Sequence, residues 1–463
     1  MADRHDDVDD WLSKRIEPLP PPPGTFELIQ RRARRRKYRK LAITATSAAL
    51  VVAAAVTVPQ VVNLPVLSPN PPSSVAAGQS SPVTPTGGGH AESSAAASLP
   101  QSTALAPVPV NFKPASVTFI GTRTGWVIGQ AGLPGHCATA YCTSVARTND
   151  AGGTWTGVPA PLAGAPDGAT GVSKIRFLDG ADGWAFGPEL FVTHNGGQTW
   201  ARVGTDGLRV TALETVGNRV FAVFASCTGS GPAYAARCTS FTLYSSPAAR
   251  EDWAPVGVAT TGLTDGAASE AVSLVLTETT GYLLGPGETL YAGPVGDTAA
   301  WQRVGSLASS CTVGPAQPDG QPTGALLGAL NASKLILACA SDSSGGSPLV
   351  SKQQKLIFSS PDGGVSWLPM GAAPPAGVAY WLAASPSESV ILGTDQGIDV
   401  LPAGESGWRM ATLKGAEPAG GFGYVGMTTG DQGIALPANP ASGTVWFTFD
   451  GGQSWAPSPV TGP

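Results

Sequence analysis

Four carboxylates, Asp265, Glu270, Glu278 and Asp395, are the side chains of this 463-residue sequence left open for acid–base chemistry, because Asp150, Asp362 and Asp450 lie inside repeated turn-forming octets. Two of the four brought to one cleft would suit cleavage of a glycosidic bond, one carboxyl protonating the leaving oxygen while the other acts as base or nucleophile. No local pattern selects a pair. Thiol chemistry would need a histidine base, and after residue 115 the only histidines are His136 and His194. Cys137 and Cys142 beside His136 lack the paired ligand sets of a zinc site, so no metal is expected. No Gly-x-Gly-x-x-Gly motif opens a helix and no Walker-type loop is present, so no nucleotide cofactor is expected either. No catalytic residue can be assigned from sequence.

The octets are the elements that would position anything else. TNDAGGTW ending at Trp155 returns as THNGGQTW ending at Trp200, SPDGGVSW ending at Trp367 and TFDGGQSW ending at Trp455. Each copy has a hydroxyl residue, Asp or Asn two places on, glycine at the fifth place and tryptophan at the eighth. Asp150, Asn195, Asp362 and Asp450 can bond the backbone of their own turn, while Gly152, Gly197, Gly364 and Gly452 allow positive φ. Trp155, Trp200, Trp367 and Trp455 would then open a strand and fill the space between neighbouring units.

These octets resemble the Asp-boxes of BNR repeats, found in β-propellers that include sialidases, sortilin-type receptors, xyloglucanases and the photosystem II stability and assembly factor. The resemblance implies a propeller and says little of ligand. Sialidases of this class carry an Arg-Ile-Pro motif ahead of the first box, an arginine cluster, a tyrosine nucleophile with a glutamate partner and an aspartate acid. The motif is absent here, and Arg123, Arg147, Arg176, Arg202 and Arg209 are scattered. A glycoside hydrolase is therefore an alternative, and a non-catalytic binding or scaffold module is the main expectation.

Three decayed copies end at Trp253, Trp301 and Trp408. The seven tryptophans are spaced by 45, 53, 48, 66, 41 and 47 residues, near the roughly 40 to 50 of a four-stranded blade. A glycine-aromatic pair recurs at Trp126, Trp184, Tyr282 and Tyr424 after alternating apolar runs, as at the junction of a first and second strand. The expected fold is all-β, a seven-bladed antiparallel propeller over 115–463. The segment VNFKPASVTF either lends a strand to the last blade or leaves each blade to close by itself. With 60 Gly, 42 Pro and 13% charged residues, the composition suits short strands and turns rather than helices.

Charge divides the chain. Residues 1–40 carry eleven Lys or Arg against seven Asp or Glu, a balance of +4, and the remainder stands at −9. Eight of those cations lie in Arg31–Lys40, directly before the uncharged run 41–58, which at about 1.5 Å per residue just spans a bilayer core. The positive-inside rule places 1–40 in the cytoplasm and the rest outside, a single-pass signal anchor in the plasma membrane with the bilayer as partner of 41–58. This N-terminal form resembles actinobacterial single-pass proteins, and Trp11, Leu12 and Ile16 could dock a cytosolic protein, which would make the molecule a transmembrane sensor. Nucleic acid is not an expected partner. Residues 59–114, rich in Pro, Ser, Ala, Thr and Gly, read as a disordered linker.

The cysteines fall after this linker. Proximity pairs Cys137 with Cys142, Cys227 with Cys238 and Cys311 with Cys339, one of fifteen connectivities open to six cysteines, and disulfides agree with an oxidising compartment. The partner outside the membrane is an unknown protein, peptide or glycan.

Overall fold

A computed structural model describes residues 107–131, 142–164, 170–228, 237–260, 267–268, 272–285, 289–307, 325–340, 355–375 and 377–462. The tail, the apolar run 41–58 and most of the linker lie outside the described residues, as do Cys137, Cys311, Asp265 and Glu270. Among the described residues no helix is long and apolar enough to cross a membrane.

Seven sheets follow one another along the chain, over 113–158, 174–202, 209–260, 273–306, 326–373, 379–410 and 422–459. In each, four consecutive strands pair antiparallel in sequence order, so the sheets are numbered here as blades 1 to 7. Blade 3 gains Ala267–Ala268 beside its third strand, and blade 7 gains Thr412–Leu413 in parallel outside Ser454–Pro459. Lys113–Phe119 pairs with Gly125–Ala131 inside blade 1, so among the described residues no strand is lent between the first blade and the last.

The ring closes by packing instead. Seven hydrophobic cores lie between the blades, each drawing on two neighbours, and the one that joins the ends combines Val117, Val127 and Trp155 of blade 1 with Ile434, Leu436 and Phe447 of blade 7. Val108 and Phe112, in the stretch that composition groups with the linker, are buried in this same seam. A central strand therefore meets a blade on either face, which explains why Gly125–Ala131 is buried almost throughout and reads as an apolar run broken only by the half-buried Gln130.

Each of the seven spaced tryptophans packs toward the blade before its own. Trp155 faces blade 7, Trp200 blade 1, Trp253 blade 2, Trp301 blade 3, Trp367 blade 4, Trp408 blade 5 and Trp455 blade 6. The glycine-aromatic landmarks point the other way: Trp126, Trp184, Tyr282 and Tyr424 pack toward the blade that follows. One aromatic from each kind of landmark thus seals opposite faces of a blade.

The four clear octets share one hydrogen-bond pattern between the third and fourth strands. In the first, Thr148 Oγ1 donates to Asp150 Oδ1 (2.8 Å) and accepts from Gly152 N (2.9 Å), while Asp150 accepts from the backbone N and hydroxyl of Thr154, both at 2.8 Å. Ser360, Asp362, Gly364 and Ser366 repeat it, as do Thr448, Asp450, Gly452 and Ser454, and Thr193, Asn195, Gly197 and Thr199 do so with the last bond reversed, Asn195 Nδ2 donating to the Thr199 hydroxyl. Gly152, Gly197, Gly364 and Gly452 have φ of 83°, 90°, 95° and 91°, where a side chain is strained. The decayed copies use substitutes: Ser246 Oγ accepts from Asp252 N, and Asp297 caps the short 3-10 turn Thr298–Ala300.

Strand alternation sorts the connections into two ends of the ring. Octets share one end with the turns between first and second strands. The Cys227–Cys238 disulfide lies at the other, tying the second and third strands of blade 3. Cys142 and Cys339, at third- and second-strand positions of blades 1 and 5, are disulfide-bonded as well.

Candidate functional site

The first strands of successive blades touch one another in order, and that of blade 1 meets the second and third strands of blade 7, so these strands surround the ring axis. Several of them also pair irregularly with their second strands. In blades 1, 3, 6 and 7 the register slips by one residue, at Pro114/Ser116, opposite Val223/Phe224, at Ala379/Trp381 and at Phe422/Tyr424. Such bulges re-aim the side chains beside them.

Five blades contribute to one cluster there. Arg176 of blade 2 pairs with Glu214 of blade 3, Nε to Oε1 at 3.0 Å, with side chains 14% and 32% exposed. Its Nη1 also donates to Ile175 O (2.8 Å) and to Ser116 Oγ of blade 1 (3.5 Å). Burial opposes the Arg176 charge most strongly, but the Glu214 carboxylate and Tyr424 together outweigh it and hold the guanidinium pKa above its ordinary value. Tyr424 of blade 7 interacts electrostatically with both, and burial pushes its phenol above the usual tyrosine range. Tyr424 in turn packs on Trp381 of blade 6, ring centroids 5.1 Å apart and planes at 56°.

Local chemistry explains why these groups settle there. The first strand of blade 2 is only Lys174–Phe177, and its axis-side edge would leave backbone groups unpaired. Ser116 Oγ accepts from Ile175 N, Thr118 Oγ1 accepts from Phe177 N, and Thr215 Oγ1 donates to Phe177 O. The neighbouring blades thus cap that edge with hydroxyls. Tyr424 bends its phenol along its own strand over Gly426, where a Cβ would stand 2.5 Å from the phenol oxygen. Trp381 is left 39% exposed, unlike the octet tryptophans, which are buried or half-buried between blades.

Of the four open carboxylates, the two described ones are not brought together. Glu278 is exposed in the first turn of blade 4, at the octet end. Asp395 sits at the opposite end in blade 6, where its Oδ1 accepts from Val378 N at 2.7 Å. A tyrosine, a glutamate and an arginine do meet on the axis. Tyr424 is harder to ionise than a free phenol, the reverse of an activated nucleophile, and Glu214 is committed to Arg176.

A second polar feature lies between blades 5 and 6. Lys355 and Asp399 are both buried, at 0% and 4% exposure, and each extends from the sheet face turned toward the other's blade. Lys355 Nζ donates to Pro374 O at 2.6 Å. Burial raises the Asp399 pKa to about 6, against the pull of Lys355, and burial lowers that of Lys355.

No protein-family model matches the chain, and comparison with curated proteins gives no match. Among solved structures, the chain is similar to YCF48 bound to D1 peptide, with 16% identity over 75% of this chain and 95% of that one and a TM-score of 0.47. YCF48 from Cyanidioschyzon merolae is similar at 13% identity over 62% and 84%, TM-score 0.41. The GH74 enzyme of Niastella koreensis is similar at 12% over 76% and 66%, TM-score 0.33.

Proposed function

We propose that this chain is a non-catalytic binding module of the Asp-box propeller class, which takes a protein, peptide or glycan at the axial cluster of Trp381, Tyr424, Arg176 and Glu214. Trp381 carries the reading. An indole left 39% exposed on an innermost strand, with one side resting on Tyr424 of the next blade, keeps aromatic surface free, and aromatic side chains with a few convergent polar groups mark ligand positions. The commitment of Glu214 to Arg176 and the raised Tyr424 pKa support binding without turnover.

The same proposal holds the propeller outside the plasma membrane, anchored by 41–58 with residues 1–40 in the cytoplasm. The charge asymmetry supports it, and the Cys227–Cys238 disulfide agrees with an oxidising compartment. The test of the site is a thermal-shift screen of peptides, proteins and oligosaccharides on the full chain and its Trp381→Ala variant. Ligands that stabilise the first and not the second support the axial site, and ligands that shift both equally place binding elsewhere.

A further inference from the structure

Of the eight asparagines in the sequence, Asn331 alone is followed two places on by Ser or Thr with no proline between, in the triplet Asn331-Ala332-Ser333. Asn-x-Ser/Thr is the acceptor pattern for attaching a glycan to an asparagine side chain, and it has force only on a surface turn of a protein outside the cytoplasm. The fold supplies the turn. All three residues are exposed, in the connection between the first strand of blade 5, Leu326–Ala329, and its second, Leu335–Ala340.

The backbone there is held while the acceptor side chain faces solvent. Leu330 N donates to Lys334 O at 2.8 Å, Tyr282 Oη of blade 4 donates to Ala332 O at 2.7 Å, and Gly363 N of the blade 5 octet donates to Ser333 O at 2.7 Å. Asn331 Oδ1 accepts from Ser333 N at 3.0 Å and from Lys334 N at 2.9 Å, the side-chain-to-backbone bonding that Asn makes at turns. Two N–H donors on one side fix the amide with its oxygen toward the turn and Nδ2 away from it, because an NH2 group cannot accept. Nδ2 makes no hydrogen bond among the described residues, and the Ser333 hydroxyl lies beside the same amide, Oγ 3.4 Å from Oδ1. This turn stands at the octet end of the ring, whereas Trp381 is in the half of Ala379–Ala384 nearer the other end. A glycan on Asn331 would therefore leave that indole open.

We infer that Asn331 is an N-glycosylation site; this rests on the reading that places the propeller outside the membrane. In the transfer, Nδ2 attacks the anomeric carbon of an oligosaccharide carried on a lipid pyrophosphate. The bond from Nδ2 to that carbon forms, the bond from the carbon to the pyrophosphate oxygen breaks, the lipid pyrophosphate departs, and a base of the transferase takes one Nδ2 proton. Ser333 is read by the transferase and is not consumed. The test is mass spectrometry of the peptide around Asn331, from the full chain purified out of the membranes of the cells that make it, together with protease treatment of intact cells, which releases the propeller only if it lies outside. The peptide should carry an oligosaccharide, lost in Asn331→Gln and in Ser333→Ala and kept in Ser333→Thr. An unmodified Asn331 in a propeller that protease releases overturns the inference and leaves the placement outside standing. An unmodified Asn331 in a propeller that protease cannot reach overturns both. A glycan that persists in Ser333→Ala, or that is attached through a hydroxyl, also overturns the inference.

Discussion

The indole Nε1 of Trp155 donates to Ser458 Oγ at 3.3 Å, a bond between residues 303 positions apart that joins the first blade to the last. Ser458 Oγ donates onward to Gly152 O, and Gln432 Nε2 reaches Thr122 O at 2.8 Å across the same seam. With no strand shared between the first and last blades among the described residues, these contacts and the core around Trp155 hold the ring shut.

Trp155→Ala should therefore remove about 3–5 kcal/mol of stability, the range for emptying a buried aromatic site. Trp200, half-buried with its Nε1 on Pro159 O, should cost less when changed to Ala. Denaturant unfolding of both variants ranks them.

The fourth and fifth octet positions should respond in opposite directions. Gly152→Ala places a Cβ 2.5 Å from Phe447 at a φ of 83° and should destabilise. Ala151 already holds a φ of 60°, where the other clear octets have glycine, so Ala151→Gly should raise stability by up to about 1 kcal/mol. Thermal unfolding reads the two signs.

The octet acids should govern acid stability. Hydrogen bonds from the Ser366 hydroxyl, the Ser366 backbone and Ser360 hold the Asp362 pKa at about 2, below the unfolded value of 3.8. A depressed pKa gives stability that is present above the unfolded value and lost as pH falls toward the folded one. Asp362→Asn, which reproduces the octet of Asn195, should fold and lose part of that slope between about pH 4 and 2, as followed by unfolding across pH.

Asp399 should act in the other direction. With its folded pKa near 6 and an ordinary unfolded value of 3.8, the folded state binds the extra proton between them, so its contribution falls as pH rises through that window. Asp399→Asn should flatten this decline. Lys355→Ala removes the opposing charge and should push the Asp399 pKa higher, lowering stability at neutral pH, whereas replacing both with apolar residues of like volume should be neutral or stabilising. Unfolding from pH 4 to 7, with a carboxyl NMR titration, checks each step.

Sequence disclosed the frame of this molecule far better than its site. Each octet is contiguous and each of its residues has a local task, so the tryptophans mark seven blades even where the glycine turn has decayed, as at Trp253, Trp301 and Trp408. The hydroxyl at the seventh octet position, Thr154, Thr199, Ser366 or Ser454, is equally local, but its role shows only in its bonds to Asp or Asn. Arg176, Glu214, Trp381 and Tyr424 come from four blades and share no spacing; only closing the ring brings them to one axis. Arg176 looked like one of several scattered arginines, and Tyr424 like a strand landmark. The one local sign at Trp381 was an aromatic pair, Tyr380-Trp381, opening a first strand.

The proposed function divides the aromatic residues into those that fold the ring and those that meet a ligand, and that division is best tested by measuring unfolding free energy and the affinity for a ligand found in the thermal-shift screen together on wild type, Trp155→Ala and Trp381→Ala. Trp155→Ala should lose stability, while Trp381→Ala should stay within about 1 kcal/mol of wild type and lose affinity. A Trp381→Ala protein that unfolds like Trp155→Ala, or that binds like wild type, would contradict the account.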